Sequence, residues 1–407
     1  MNVNGNARPC VFLEPLFTIP QTMYIGYMTL YMLALGMTKS QVGLVTSLGL
    51  AANIVFATLS AYITDKIGRK QACLWYDIIG WAIPLTIYAL AQNIYYFIAG
   101  IVIASFGYVT MNSWQCLMLE DSNPSERIHI FNFLQIASII GGFFSPIGGI
   151  LINKFSLIPA MRIMFVFAIL MMMTLFVVRH FQVKETETGI IKMQEMKGVK
   201  VGTVLKNYGK ILKRIGSDHL LVIAILLRAL NFIQLTVKNT FLAVLVTERL
   251  GFPTETMAIF QTLTAIVMLV VLVFITPVLS SITRRWPIAV GVFFHIGATV
   301  ILLLAPAKQN MFLLILSALL IAIGSAIATP RIDSLAANTI KNEERTVANA
   351  VIAIILLLIS SPFGYIGGLL SEIDTRLPFV LILFALLLIL VLLIVAKKVE
   401  RKYNAVE

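Results

Sequence analysis

The sequence predicts an all-helical membrane protein that crosses the bilayer twelve times, as two related bundles of six helices. Three observations lead to this fold class: the composition, the lengths of the apolar runs, and a repeat between the two halves. Of the 407 residues, 59% are hydrophobic and only 12% are charged. Soluble domains are about 45–50% apolar and about 25% charged, so the composition excludes an ordinary soluble enzyme.

Apolar runs of spanning length recur along the whole chain. A spanning helix needs about 20 mainly apolar residues, and in the hydrocarbon layer a helix satisfies its own backbone hydrogen bonds. We expect the first run to be retained, because Met1–Pro9 is too short and too polar for a cleaved signal. The predicted spans are 11–35, 41–63, 71–91, 94–119, 128–152, 158–180, 218–247, 255–281, 287–305, 309–334, 346–370 and 377–396.

The long basic connection at 181–217 divides the predicted spans into two groups of six. The predicted domains are an N-terminal bundle (1–180), a cytoplasmic basic linker (181–217) and a C-terminal bundle (218–407). With both termini in the cytoplasm, the inner segments hold 22 Lys and Arg and the outer segments six. Cytoplasmic loops carry this excess, so we expect a multi-pass protein of the cell membrane with both termini inside.

The two halves repeat at an offset near 215 residues. Five landmarks recur in the same order, and each half holds an even number of predicted spans, so the repeats are predicted to be parallel. The first landmark is Leu35-Gly36, which matches Leu250-Gly251 at the end of the first span of each half. The others are Arg69 with Arg285, Asp121-Ser122 with Asp333-Ser334, Glu126-Arg127 with Glu344-Arg345, and Ser145-Pro146 with Ser361-Pro362.

Residues typical of cofactor, metal or nucleotide chemistry do not cluster in the sequence. Cys10, Cys73 and Cys116 are far apart, and the four histidines are scattered, so we expect no disulfide framework and no metal site. No G-x-x-x-x-G-K-S/T motif is present, so ATP is not expected to drive the protein. The net charge of +12 lies mainly between spans, which favours membrane orientation over nucleic-acid binding.

One loop carries a family signature. Residues 61–70, AYITDKIGRK, resemble the loop G-x-x-x-D-R-x-G-R-R/K between helices two and three of the major facilitator superfamily. Asp65, Gly68, Arg69 and Lys70 match it, while Ala61 and Lys66 replace the first glycine and arginine. Gly141–Gly149 resembles the helix-five signature of the family in weakened form. The resemblance covers essentially the whole chain and implies transport by alternating access.

The loop signature suggests a charge latch at the cytoplasmic face. In this hypothesis Asp65 accepts hydrogen bonds, and Arg69 and Lys70 pair with acids such as Glu120, Asp121 or Glu126. The alternative is that these charges only set the topology. The candidate gating residues are Asp65, Gly68, Arg69, Lys70, Asp121, Arg127, Asp333 and Arg345.

Ionisable residues inside spans are functional candidates, because their burial is costly without a cavity or a partner. Glu14 is the first candidate for proton coupling and Glu120 the second; Glu14 could instead be an acid at a helix start beside Pro15. The repeat aligns Glu14 with Ala229, the neighbour of Arg228, in helices that are expected to face each other. Glu14 and Arg228 could therefore pair. Lys238 could bind an anion or extend to the membrane surface.

Three further residues have local interpretations. We expect Asp333 to pair with Arg331, Asp77 to be solvated near the cytoplasmic end of its helix, and His295 to be a satisfied interior histidine.

Uncharged polar and aromatic side chains concentrate in the first and fourth predicted spans of each half. Carboxamides beside aromatic rings suit a polar solute, and Arg or Lys suits an anionic group. Such residues also bind helices together. The candidate substrate-binding residues are Gln21, Tyr24, Asn112, Trp114, Gln115, Arg228, Asn231, Gln234 and Lys238.

The function predicted from these features is secondary active transport of a small polar solute, anionic or sugar-like, coupled to protons. We expect the partners to be the solute, the bilayer and protons, with the protein monomeric, without cofactors and not an enzyme. A drug or lipophile exporter is the alternative, although Gly100-Ile101 stands where many drug antiporters have Gly-Arg. A membrane enzyme or a transporter-like receptor would need a catalytic cluster or an added domain.

Overall fold

The computed structural model describes residues 5–122, 124–202, 209, 212, 215–271, 274, 286–306, 309–338 and 345–403. Regular structure in these residues is helical throughout, with no strand. Ten of the helices described are long and apolar enough to cross a membrane, and a shorter apolar helix covers Thr254–Val270. The prediction of an all-helical, polytopic fold is therefore confirmed.

The N-terminal half contains twelve helical segments as far as the structure describes it. They are α1 (Ala7–Phe12), α2 (Pro15–Ile25), α3 (Met28–Ala34), α4 (Lys39–Ile67), α5 (Arg69–Asp77), α6 (Ile83–Ala89), α7 (Ile94–Ala104), α8 (Gly107–Leu119), α9 (Pro124–Phe143), α10 (Ser145–Phe155), α11 (Leu157–Gln182) and α12 (Glu187–Glu195). A π-helical turn, Ile78–Ala82, joins α5 to α6.

The C-terminal half contributes six α-helices over its described residues. They are α13 (His219–Val244), α14 (Met257–Val270), α15 (Trp286–Leu304), α16 (Met311–Asn338), α17 (Arg345–Ile373) and α18 (Leu377–Tyr403). A π-helical turn, Leu245–Arg249, extends α13.

The first predicted span is not one continuous helix, and this part of the prediction is wrong. It is divided into α1, α2 and α3. Pro15 begins α2, because proline lacks the N–H that would continue α1 and its ring suits a helix start. Gly26 ends α2, where the missing side chain lowers the helix propensity. The breaks lie beside Glu14 and Tyr27, among the polar residues of this span.

The chain divides into two compact units of similar size. Unit 1 comprises residues 1–37 and 48–206, and unit 2 comprises residues 38–47 and 207–407. The first part of the predicted linker therefore belongs with the N-terminal half. The first turns of α4 belong with the C-terminal half, and the rest of this helix belongs to unit 1.

Unit 1 is held together by aromatic rings and by tight packing of small residues. Tyr31 is fully buried, its ring meets Phe97 and Phe165 edge-on, and its hydroxyl donates to the carbonyl of Tyr88 at 2.8 Å. A second apolar cluster surrounds Cys10 at the other end of the unit.

In unit 2, α15 and α16 approach closely where glycines meet. A Cβ atom built on Gly291 would lie 2.8 Å from the Cβ of Ala328 and 3.0 Å from the carbonyl oxygen of Gly324. This close approach places α15 and α16 side by side at the level of His295.

Candidate functional site

A buried group of charges lies where α5, α11 and the start of α2 meet in unit 1. The Arg179 guanidinium pairs with the Asp77 carboxylate, and the two residues are only 4% and 2% exposed. Arg179 also acts electrostatically on Glu14, which directly precedes α2. The group therefore holds two acids and one guanidinium. The expectation that Asp77 is solvated is wrong, because the packing of α11 against α5 covers it.

The other predicted residues of unit 1 are distributed over several packing contacts. Tyr24 is buried with its ring edge on Phe165, and Asn112 donates to the Thr64 hydroxyl at 3.3 Å, which ties α8 to α4. Trp114 packs on the cluster around Cys10 and its buried indole nitrogen has no described partner. Gln21 is half-buried and Gln115 is exposed. Their roles in substrate binding stay predictions.

A row of polar side chains lies along α13 in unit 2. Asn231, Gln234 and Lys238 are all buried, and their spacing of three and four residues puts them on one side of the helix. The Gln234 amide donates to the Asn231 side-chain oxygen at 3.3 Å. Lys238 is 8% exposed, so it does not extend to the membrane surface.

His295 on α15 continues this polar group. Its ring is 2% exposed, and Nε2 lies 3.3 Å from the Ser325 hydroxyl of α16. Gly324 makes room for the ring, since a Cβ atom there would lie 2.8 Å from the His295 Cδ2 atom. Lys238 is the charged side chain that acts electrostatically on His295. The prediction of a hydrogen-bonded interior histidine is confirmed.

Arg228 has its own acidic partner within unit 2. Its Nε atom lies 2.7 Å from an Asp333 carboxylate oxygen, and both side chains are partly exposed. The expected partner of Asp333 was Arg331, two residues earlier in α16. Asp333 reaches across to α13 instead, and the Glu14–Arg228 pair stays a prediction.

The loop signature forms a compact ion-pair network in unit 1. Arg69 lies 2.9 Å from Asp65 and binds Glu120 through both Nε and Nη2 at 3.0–3.2 Å. Gly68 has a φ of 94°, a conformation that favours glycine. The Glu185 carboxylate accepts hydrogen bonds from the backbone N–H groups of Arg69 and Lys70, each at 2.9 Å.

The start of the linker completes this network. The Thr186 hydroxyl donates to Glu120 at 2.5 Å, and the Asn6 amide exchanges hydrogen bonds with the backbone of Lys184. Asn6 also donates to Asp121 at 3.4 Å. Partial burial, together with neighbouring Glu120 and Glu187, raises the pKa of Asp121 above its ordinary value.

The remaining gating candidates are less closely tied to the network. Arg127 donates to the Leu119 carbonyl at 3.3 Å. Arg345 begins α17, and the side chains of Arg345 and Glu126 lie outside the described residues.

Sequence reasoning missed four residues of these networks: Asn6, Arg179, Glu185 and Thr186. Arg179 was counted among the basic residues that orient the helices, since it lies near the end of a predicted span. Asp77 and Arg179 are 102 residues apart, and no spacing rule relates them. Glu185 and Thr186 stand in the polar linker, where Thr186 before Glu187 at a helix start is the one available signal.

The helical fold, the ten long apolar helices among the described residues and the buried charges are typical of one class of protein, the polytopic membrane transporters. The sequence profile of the Major Facilitator Superfamily matches residues 16–364 and 225–406. The chain therefore belongs to the Major Facilitator Superfamily and is a transmembrane transporter, not an enzyme. The family resemblance of the loop signature is thereby confirmed.

A curated relative and several solved structures agree with this assignment. The relative is the uncharacterized MFS-type transporter YqjV of Bacillus subtilis (strain 168), 27% identical over 131 residues, which is 32% of each chain. The match thus spans about a third of that protein's length. Among solved structures, the nucleoside transporter NupG has a TM-score of 0.68 at 14% identity, covering 97% of this chain and 99% of that one.

Two further solved structures share the fold. A POT family transporter in complex with a thioalcohol conjugated peptide has a TM-score of 0.75 at 14% identity, with 97% of this chain and 96% of that one covered. The human organic anion transporter MFSD10 (TETRAN) has a TM-score of 0.63 at 15% identity, with 95% and 99% covered. At these identities the likeness concerns the fold.

Proposed function

We propose that the protein is a secondary active transporter that moves a small polar solute by alternating access and couples this movement to protons through Glu14. It acts as a monomer in the cell membrane with both termini in the cytoplasm. The solute is small and polar because the interior side chains include carboxamides, hydroxyls and aromatic rings. Nucleosides, peptides and organic anions, the solutes named for the proteins of similar fold, form the panel to test.

The group of Glu14, Asp77 and Arg179 supports proton coupling. Arg179 is already paired with the buried Asp77 carboxylate, so one positive charge faces two acids. The group is electrically neutral when Glu14 holds a proton and carries one negative charge when it does not. A charge inside the membrane is costly. Protonation of Glu14 therefore stabilises the conformation in which the group is buried, and loss of the proton destabilises it.

Transport into proteoliposomes tests the proposal. We expect a pH gradient to drive accumulation of at least one solute of the panel, and Glu14→Gln to abolish accumulation while exchange of labelled for unlabelled solute continues. Glu195→Gln is the matched control, because Glu195 forms an exposed pair with Lys192. Gradient-driven accumulation that persists unchanged in Glu14→Gln contradicts the coupling role. Efflux of lipophilic dyes with no uptake of polar solutes supports the drug exporter instead.

A further inference from the structure

Unit 2 contains a buried ammonium group, that of Lys238, which acts electrostatically on the His295 imidazole of α15, and this ring contacts the Ser325 hydroxyl of α16. We propose that Lys238, with Ser325, Thr329 and His295, forms a site for the oxyanion group of a small organic solute, such as a carboxylate. The Lys238 ammonium supplies the counter-charge. This assignment names the substrate class of the transporter and rests on the proposed function for the claim that the bound anion is transported.

Lys238 differs from the other buried cations that the structure describes. Arg69 is paired with two acids and Arg179 with one. For the Lys238 ammonium, the described residues supply neither an ion pair nor a hydrogen bond, although the residue is 8% exposed. A buried charge is stabilised only by a partner of opposite sign, and a bound anion provides one.

The three helices that carry the proposed site have few acidic residues. Helix α13 has no acidic residue, and the segment 286–338, which contains α15 and α16, has one, Asp333. Asp333 is paired with Arg228, which lies ten residues before Lys238. Glu248, which lies ten residues after Lys238, is paired with Lys39. Ten residues of helix correspond to about 15 Å. Both neighbouring acids are therefore distant and already paired.

Hydrogen-bond donors accompany the ammonium. Ser325 and Thr329 are four residues apart and share one face of α16. The Ser325 hydroxyl contacts His295, and the Thr329 hydroxyl is buried without a partner among the described side chains. Buried hydroxyls normally have a partner. An ammonium and two hydroxyls are the groups that bind an oxyanion.

Other solute charges fit this site less well. A cationic group would be repelled by Lys238, and a neutral sugar would leave the ammonium without a counter-charge. Gln234 and Asn231 lie on the same side of α13 as Lys238 and bond to each other. They therefore lie beside the anion site, where they can contact the remainder of the solute.

Binding measurements on the purified protein test this site without any transport step. The probes are matched pairs, benzoate with benzamide and nicotinate with nicotinamide, which differ in charge and little in shape. Titration calorimetry in phosphatidylcholine nanodiscs should detect at least one of the carboxylates and not its amide. We expect Lys238→Gln to weaken that binding tenfold or more, and Lys238→Arg to retain more of it. Lys192→Gln, at an exposed lysine, is the control and should bind as the parent does.

Thermal unfolding provides a second measurement that does not depend on the choice of probe. Without an anion, Lys238→Gln should unfold at a higher temperature than the parent, since it removes a buried charge that has no partner. The proposal is wrong if Lys238→Gln lowers the unfolding temperature in the absence of anion, if no carboxylate binds, or if the amides bind equally well. If carboxylate binding is lost in phosphatidylglycerol nanodiscs, the anionic lipid headgroup occupies the site. This result would also contradict the proposal of a solute site.

The two proposals fail in different ways. Carboxylate binding that depends on Lys238, with no gradient-driven uptake, would contradict the proposed function and leave the anion site standing. Proton-driven uptake of neutral solutes that is unchanged in Lys238→Gln would support the proposed function and contradict the anion site.

Discussion

Asp77 and Arg179 form an ion pair in the interior of unit 1, and the Arg179 guanidinium also interacts electrostatically with Glu14. Removing two charges from water costs several kcal/mol for each ion, and the attraction between them offsets this only in good geometry. The pair therefore contributes little net stability. Asp77 nevertheless depends strongly on Arg179, because its carboxylate would otherwise be buried without compensation, whereas Arg179 also interacts with Glu14.

A double-mutant cycle tests this dependence at the level of single residues. Arg179→Met should destabilise the protein by about 3–5 kcal/mol, because it leaves the Asp77 carboxylate buried and charged without its partner. Adding Asp77→Asn to Arg179→Met should restore much of the lost stability. Chemical unfolding of the parent, both single variants and the double variant measures the coupling. Additive losses in the double variant would show that the two charges do not depend on each other.

Charged residues within the helical bundles could be recognised from the sequence where a charge interrupts an apolar run. Glu14, Arg228 and Lys238 were recognised in this way. Their partners could not be, because pairing depends on which helices pack together. Asp333 was expected to bond within its own helix to Arg331, yet it contacts Arg228 of α13. Asp77 was expected in water, and only the packing of α11 against α5 shows otherwise.

At the scale of elements, the start of the linker acts as a cap for α5. The N-terminus of a helix has free N–H groups, and α5 follows Gly68, which has no side chain to accept from them. The Glu185 carboxylate takes this place from outside the helix. The Tyr62 hydroxyl also donates to the Val199 carbonyl at 3.1 Å, so both ends of the segment that contains α12 are attached to unit 1.

Replacing Glu185 with alanine should release this segment. Loss of a helix cap costs about 1 kcal/mol, which corresponds to an increase of about fivefold in the fraction of opened molecules. Trypsin should then cleave after Lys192 and Lys197 about fivefold faster, as followed by gel electrophoresis of the purified protein. Glu195→Ala should leave the rate close to that of the parent, since Glu195 contacts only the exposed Lys192 among the described residues. Equal rates in Glu185→Ala and the parent would contradict the capping role.

The element scale also shows where helix prediction from hydropathy succeeds and fails. Long apolar runs such as α11 and α15 were predicted to within two residues at each end, because their length and composition are those of a membrane-spanning helix. The first span was predicted as one helix although Pro15 and Gly26 interrupt it. The linker was recognised by its lysines, but its docking depends on hydrogen bonds from Glu185 and Thr186 that no charge count reveals.

At the scale of the whole molecule, α4 is the element that the two units share. Residues 38–47 belong to unit 2, where Lys39 pairs with Glu248 at 2.6 Å and Ser40 bonds to Glu372 at 2.8–2.9 Å. Alternating access requires the two halves of a transporter to move relative to one another. In the proposed transport cycle, such movement either bends α4 near residues 47–48 or releases its first turns from α17.

A mutation at the contact between α4 and α17 can test whether α4 is released. A Cβ atom on Gly368 would lie 2.7 Å from the Lys39 carbonyl oxygen and 3.0 Å from the Ser40 Cα atom. The helices therefore touch through backbone, and no flexible side chain is available to make room. Gly368→Val should force them apart, since overpacking costs about 1–3 kcal/mol and each 1.4 kcal/mol shifts a population about tenfold.

Cysteine labelling measures this release directly. Ser47 is half-buried and accepts a hydrogen bond from the Tyr365 N–H at 2.7 Å, so a cysteine at position 47 should react more slowly with thiol reagents while the contact holds. In a protein with Cys10, Cys73 and Cys116 replaced by serine, Gly368→Val should increase thiol labelling of Ser47→Cys about tenfold. Gly297→Val is the matched control, because a Cβ atom there meets only Leu320 at 3.8 Å. Unchanged labelling in Gly368→Val would mean that α4 keeps its contact with α17 and that any movement is taken up by bending of the helix.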